Sequence, residues 1–400
     1  MTTRYLAHDS PWLLALLAAL VALGPLSVDM YLPAMPNMMA ALDTSISRMH
    51  LTLSSYLAGF ALFHLVCGPL ADRFGRKPVL IGGTTLFVAA CVGCSQSASV
   101  GELLLFRFLQ GVGACVGPTL ARAVTRDIFG PTGAARALSL IAMLMALAPA
   151  VAPTLGGVML LVLPWPSIFL FLASYGTVMI VLIIRLLPES LPKAQSLHPL
   201  TILRNYGELV ADPFFLSVTL ASGAVYAGLI TYLSSSSFIY INMLGVPVEL
   251  FGLIFLSSVI GYMAGSAISA RLSRRHDSER VMFLGLVLGM ASSILLLGGY
   301  WLWPTSVLSL MIPMALYSTA MGLVLPHAMA IALRPFAHIA GTASALLGFI
   351  QMSLSALTSA QVGFFLKDTP QPMLWTMLLL SSMSLALGLR ANRLYRLTKP

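Results

Sequence analysis

The sequence predicts an all-α membrane protein with twelve transmembrane helices in two six-helix pseudo-repeats, and three observations carry that expectation. The chain of 400 residues is 58% hydrophobic and 9% charged, with a mean hydropathy of +0.92, well outside the range of soluble domains. Twelve apolar segments recur along it, each near the ~20 residues that cross a bilayer as a helix. A basic turn in the first half is echoed 198 residues later in the second, the degenerate repeat that two halves of one orientation leave in a sequence.

The segments are 12–36, 49–70, 79–97, 102–124, 137–162, 167–187, 214–241, 250–270, 281–302, 305–329, 339–366 and 373–390. They read as helices because backbone in lipid has no water to bond, and a helix satisfies its N–H and C=O groups within one segment. The longest polar stretch, 188–213, falls at the midpoint and reads as a linker between an N-terminal half, 1–187, and a C-terminal half, 214–400.

The net charge of +9 is topological. With an inner N-terminus, nineteen of the 22 Lys and Arg fall in inner loops, helix ends or tails, from Arg4 and the Arg73, Arg76, Lys77 turn to Arg390, Arg393, Arg396 and Lys399. Arg48 and Lys367 lie in outer loops and Arg107 inside a span. The positive-inside rule therefore places both termini in the cytoplasm, and the basic balance calls for a bilayer rather than nucleic acid. Residues 1–11 show no cleavable leader pattern, so the first helix is expected to stay as an anchor.

The composition also excludes several chemistries. Cys67, Cys91, Cys94 and Cys115 sit within or at the ends of spans and form no disulfide framework. Cys91 and Cys94 have CxxC spacing, but no His or acid accompanies them, so no metal is expected. No GxxxxGK[ST] loop occurs, which argues against ATP, and no HExxH, paired aspartates or Ser–His arrangement suggests an intramembrane enzyme. No cofactor is expected.

The first span carries Asp29 where a lipid-buried helix should hold no acid. Such a carboxylate costs roughly 2.5–3.5 kcal/mol at the bilayer centre, so it faces protein or a wet cavity and marks an ion or proton path. In the fourth span Arg107 lies about five residues, or ~7.5 Å, below the outer end, and Asp29 about seven residues, or ~10 Å, below the outer end of the first. The matching depth suggests one cavity shared by the two charges. Simpler readings stand beside it: Arg107 snorkels to the outer interface, and Asp29 caps or bends the proline-rich end of its helix or joins a structural pair.

The stretch Gly68-Pro-Leu-Ala-Asp72-Arg73-Phe-Gly75-Arg76-Lys77-Pro joins the second and third spans. Its glycines permit a tight reversal and Asp72 can cap a helix; a loop that only sets topology is the plain alternative. Its echo, Ser266 to Arg275, sets Arg271, Leu272, Arg274 and Arg275 under Arg73, Phe74, Arg76 and Lys77, with Ala270 in place of Asp72 and Ser273 in place of Gly75. In the fifth span, Ala148 to Gly157 combines prolines with small residues, which lets helices bend and approach closely. The seventh span and its outer end hold Tyr226, Tyr232, a Ser234 to Ser237 run, Phe238 and Tyr240, read either as a pocket for an amphipathic molecule or as an interfacial aromatic belt. His64 and His327 read as packed histidines or as proton carriers.

The 68–78 stretch resembles the loop 2–3 signature of the major facilitator superfamily. That resemblance implies the major facilitator fold and an inner charge cluster of Gly68, Asp72, Arg73, Gly75 and Arg76, with Asp127 as the acidic partner of Arg76. Arg107 with Gln110, Gly111 and Gly113 resembles the helix 4 motif of the family's antiporters, whose Arg is linked to proton transfer. Pro153, Gly156 and Gly157 match its helix 5 antiporter motif, with Ala148 and Ala152 where glycines are typical. Asp29-Met-Tyr-Leu-Pro33, Leu51-Thr-Leu-Ser54 and Phe336 to Ala345 together resemble the Bcr/CflA drug-resistance subfamily of proton-coupled exporters. Residues 20–23 lack the further helix 1 acid of some relatives, so Asp29 would act alone. The resemblance implies a bacterial inner-membrane antiporter that works as a monomer, exchanging protons for an amphipathic small molecule with Asp29 and Arg107 as the coupling pair. Tyr31, Tyr56, Phe60, Gln110, Tyr226 and Tyr232 are assigned to the substrate cavity. A metabolite transporter of the same fold, for a nucleoside-, amino-acid- or sugar-like solute, is the alternative.

Overall fold

A computed structural model describes residues 11–145, 148–191 and 199–398. Arg4, Lys193 and Lys399, which enter the charge bias, lie outside the described residues. Within them every regular element is helical: α1 (Pro11–Asp29), α2 (Met35–Ala41), α3 (Ile46–Phe74), α4 (Arg76–Gln96), α5 (Val100–Ala114), α6 (Val116–Met145), α7 (Ala148–Val162), α8 (Pro166–Leu186), α9 (Pro199–Ala211), α10 (Pro213–Ser237), α11 (Phe251–Leu272), α12 (Ser278–Leu302), α13 (Val307–Leu333), α14 (Ala340–Phe365) and α15 (Gln371–Thr398). Ten described stretches are long and apolar enough to cross a membrane; one, Val307–Phe365, contains both α13 and α14, and Ala148–Val162 adds a shorter apolar helix. The twelve expected segments are thus all represented by helices. Their outward faces carry the bare apolar side chains that lipid contact requires, such as Leu170, Val178, Val181 and Ile184 along α8.

The helices depart from the expected segments where backbone chemistry forces it. The first span is not one helix: α1 stops at Asp29, a 3-10 turn covers Leu32–Ala34, and α2 follows. Pro33 has no N–H for the carbonyl of Asp29, and Pro36 none for that of Leu32, so the ladder fails there. The fourth span is divided at Cys115 into α5 and α6, and the α6 backbone turns at Gly130, φ +64°. The midpoint linker contains a helix, α9, and Asp212 then caps α10, its Oδ1 accepting from the Phe215 N–H at 2.6 Å ahead of Pro213 at the first helical turn.

The contacts divide the chain into two units, one of Met1–Thr44 with Ser55–His198 and one of Ser45–Ser54 with Pro199–Pro400. In the first, α1 packs on α6, α7 and α8, and α4 on α5 and α8. In the second, α10 packs on α13, α14 and α15, α12 on α13 and α15, and α11 on α13.

Both units contain helix seams of the same kind. A Cβ at Gly111 of α5 would overlap the backbone of Tyr56 in α3, and one at Gly59 of α3 the backbone of Phe108 in α5. In the second unit Gly261 and Gly265 of α11 meet the backbone of Ala315 and Thr319, and Gly322 of α13 that of Tyr262 and Ser266. Small residues let membrane helices close to backbone contact, where packing rather than hydrophobicity holds them. Gly111→Ala is therefore expected to separate α3 from α5: the clash is with main chain that cannot rotate away, overpacking costs about 1–3 kcal/mol or more, and a fluorescence-detected size-exclusion melt should show a clear loss of thermal stability. An unchanged melting profile would refute the seam.

Candidate functional site

The break in the first span builds the site. The last carbonyls of a helix lack intrahelical donors, and at the end of α1 the Ser27 carbonyl accepts from Arg107 Nη1 at 3.2 Å. Arg107 stands two turns into α5, which starts on a capping box: Ser99 Oγ accepts from the Glu102 N–H at 3.3 Å while Glu102 Oε2 accepts from the Ala98 N–H at 2.8 Å. The α3–α5 seam then brings Tyr56 alongside.

Arg107 has no solvent exposure, so it does not reach an interface. Its guanidinium carbon lies 4.2 Å from the Tyr31 ring centroid and 4.5 Å from that of Tyr56, both within cation–π range. Nη1 also donates to Gln110 Oε1 at 2.6 Å, and Gln110 Nε2 donates to Cys91 Sγ at 3.1 Å. The Tyr56 hydroxyl donates to the Gly24 carbonyl at 3.3 Å. Arg107 Nε and Nη2 are buried without a hydrogen-bond partner. A desolvated cation with two open donors is costly by itself and suits a site that receives an acceptor.

Asp29 is the last residue of α1 and is 5% exposed. Among the described residues no ion pair joins it to Arg107, whose salt-bridging partners would lie within 4.0 Å. The arginine instead holds Ser27 and Tyr31, the residues two before and two after Asp29. On the other flank α7 packs on α1 and on the Leu32–Ala34 turn. A Cβ at Gly156 would sit 2.5 Å from the Met30 carbonyl, and Ala152, Pro153 and Gly157 are buried with it. The small-residue face of α7 thus seats the break. Phe60, nearly buried, lies 6.3 Å from Tyr56 and 5.9 Å from His64 between ring centroids.

The basic turn is a built cluster. Arg76 is 8% exposed and bonds Asp72 Oδ1 through Nη1 at 2.6 Å and Asp127 Oδ2 through Nε at 3.1 Å. Asp127 Oδ2 also accepts from Ser190 Oγ at 3.3 Å. Gly75, at φ +101°, makes the reversal that an L side chain resists. Gly68 is half-buried with open space beside it, and Arg73 is exposed with its guanidinium 5.6 Å from the Phe74 ring. In the echo, Arg271, Arg274 and Arg275 are exposed. Ala270 there leaves Arg274 without the carboxylate that Asp72 gives Arg76.

Glu189 was not singled out in the sequence, because it lies in a polar stretch read as linker. Its carboxylate accepts from the Arg76 N–H at 2.9 Å and the Lys77 N–H at 3.1 Å, capping α4, and a Cβ on Gly75 would meet it at 2.6 Å. The only cue was an acid just past a helix end, a common placement. Glu189→Ala should lower stability by about 0.5–2 kcal/mol, the range of a lost cap, read as a fall in melting temperature with Glu189→Gln in between.

In the second unit Tyr232 is buried, its hydroxyl 3.0 Å from that of Tyr240, so it belongs to no interfacial belt. Tyr226 is half-buried. Ser234, Ser235 and Ser236 donate to carbonyls three or four residues back. His327 Nε2 meets Ser269 Oγ at 2.9 Å and Ser273 Oγ at 3.3 Å, a pin between α13 and α11. All four cysteines are free and buried.

The chain matches the family model described as Major Facilitator Superfamily over residues 17–360. It is 32% identical over 353 residues to an uncharacterized MFS-type transporter, YdgK, of Bacillus subtilis, covering 87% of each chain. It is 30% identical over 369 residues to a bicyclomycin resistance protein homolog of Haemophilus influenzae, covering 90% of this chain and 91% of the other. It is 31% identical over 377 residues to the multidrug resistance protein MdtL of Vibrio parahaemolyticus, covering 92% and 93%. Among solved structures it resembles a nucleoside transporter, NupG (TM-score 0.76, 13% identity, 95% and 99% covered), and a D-xylose-proton symporter (0.71, 13%, 95% and 97%). Those two show the shared fold.

Proposed function

We propose, from the premise that this chain belongs to the Major Facilitator Superfamily and is a membrane transporter of small molecules, that it is a proton-coupled exporter of amphipathic compounds of the Bcr/CflA kind. The observation that carries this reading is Asp29, a buried acid at a proline-broken helix end, flanked by residues that Arg107 holds while two of its donors stay open. Relatives named for bicyclomycin and multidrug resistance lend the direction and substrate class.

In this reading the protein works as a monomer in a bacterial inner membrane with both termini cytoplasmic, alternating access between its halves. Asp29 takes a proton from the outer side. Its ionised form would draw on the open Arg107 donors or on a cationic substrate group; its neutral form would release them. Tyr31, Tyr56 and Phe60 would present aromatic faces to the apolar part of the substrate, and Gln110, with its oxygen on Arg107 and its nitrogen on Cys91, would hold the arginine in place. Asp72, Arg76 and Asp127 would fasten the inner side in one conformation.

The test is transport by purified protein in proteoliposomes. With an imposed pH gradient, bicyclomycin or ethidium should move opposite to the protons, and collapse of the gradient by an ionophore should stop it. Uptake in the same direction as protons, or flux indifferent to the gradient, would overturn the proposal.

A further inference from the structure

His50 lies in the first two turns of α3, in the Ser45–Ser54 stretch that groups with the second unit. It has no solvent exposure, and neither ring nitrogen makes a well-formed hydrogen bond, although the Ser359 main chain is within reach. The ring stacks on Phe238 of the π-turn Phe238–Met243, centroids 5.6 Å apart and planes 23° from parallel. Gly363 of α14 leaves the space that His50 fills, since a Cβ there would overlap the His50 side chain. Ser359, one turn before Gly363 on the same face of α14, and Ser237, next to Phe238, also hold buried hydroxyls with no partner. Two side chains with unused polar atoms, His50 and Ser359, thus share one apolar seat.

We propose that His50 is a second proton-binding site, and that its protonation releases the start of α3 from α10 and α14. A neutral imidazole can lie against Phe238 at modest cost. A charged ring is costly to keep desolvated without an anionic partner, and the elements around it offer no carboxylate. Between Ala340 and Phe365, α14 has no titratable side chain. On α10 and its π-turn the titratable groups are Tyr226, Tyr232 and Tyr240, and the hydroxyls of the last two face each other. The nearest charges along the chain, Asp43 and Arg48 before His50 and Lys367 and Asp368 after α14, are exposed. The latch rests on the proposed function for its meaning: with the 37–48 loop on the outer side, the protons that drive transport would also reach His50.

The latch is tested by hydrogen–deuterium exchange of the full chain in lipid nanodiscs, corrected for intrinsic exchange. Between about pH 8 and about pH 5, a window that brackets imidazole titration, wild-type residues 46–54 should lose protection by about tenfold or more, the shift one pH unit of linkage supplies. His50→Phe, which fills the same seat and cannot be charged, should keep protection at both pH values. Selective labelling of histidine rings for NMR gives a second reading. The signals missing in His50→Gln should stay those of a neutral ring while the seat is closed and turn to those of a protonated ring only as the seat opens. Constant wild-type protection, or equal loss in His50→Phe, overturns the proposal. Asp29→Asn separates the two ideas: protection should still fall with acid in that variant, so a transport result against Asp29 leaves the latch standing.

Discussion

Asp29→Asn is expected to leave a folded transporter whose substrate flux no longer responds to a pH gradient. The side chain is nearly isosteric, it is buried, and among the described residues it forms no ion pair whose loss would unfold the helix end. What the change removes is the alternation between a charged and a neutral form. That difference is worth roughly 2.5–3.5 kcal/mol in the membrane interior, or about a hundredfold in the balance between two conformations. Gradient-driven efflux should accordingly fall by about that factor, while substrate-for-substrate exchange, which needs no net proton movement, persists. Asp29→Glu should retain part of the coupled flux. Full gradient-driven transport by the asparagine variant would sink the coupling role, and loss of expression would be seen separately in the size-exclusion profile.

Arg107→Lys should also be severe, although it keeps the charge. The guanidinium is planar and lies between two tyrosine faces while one end bonds both Ser27 and Gln110. An ammonium is a compact point charge that cannot bridge these partners at once. Each cation–π contact is worth about 0.5–2 kcal/mol when desolvated, so the variant should bind substrate roughly ten- to a hundredfold more weakly. Arg107→Met, of similar length and uncharged, separates packing from charge: it should be at least as stable as wild type, because the cost of a buried unpaired cation disappears, yet inactive. Tyr31→Phe and Tyr56→Phe keep the rings and should keep most of the binding, whereas Tyr31→Leu should not. Equal binding by Arg107→Lys and wild type, measured by scintillation proximity, would show that the stacked geometry does not matter.

Much of this was legible in the chain because membrane spans declare themselves. Apolar segments of bilayer length can only be helices, so the twelve elements followed from composition and spacing. Arg76 with Asp72 and Asp127 was expected from the family resemblance: the pairing with Asp72 is local, at (i, i+4), whereas Asp127 is 51 residues away along the chain and no spacing points to it. Other features depended on contacts that no local pattern encodes. Asp29 and Arg107 sit at similar depth, which suggested one cavity shared by the two charges. The packing gives Arg107 the carbonyl of Ser27, freed by the proline break, and the rings of Tyr31 and Tyr56. Gln110 looked like a cavity residue, and both ends of its amide prove to be occupied. Glu189 looked like linker, because an acid after a helix has many bland explanations and its cap on α4 spans more than a hundred residues of sequence. His50 drew no notice at the edge of an apolar segment; only the space at Gly363 and the Phe238 face make its burial evident.

By itself the sequence determined that this protein lives in a bilayer, how many times its chain crosses, and which buried charges demand an explanation, because lipid forbids unsatisfied backbone and penalises isolated ions segment by segment. The tertiary structure decided which partners those charges have. Backbone seams at glycine, a helix end opened by proline and rings brought in from distant helices are set by packing between elements, and that information is spread over residues whose separation along the chain carries no mark of their meeting.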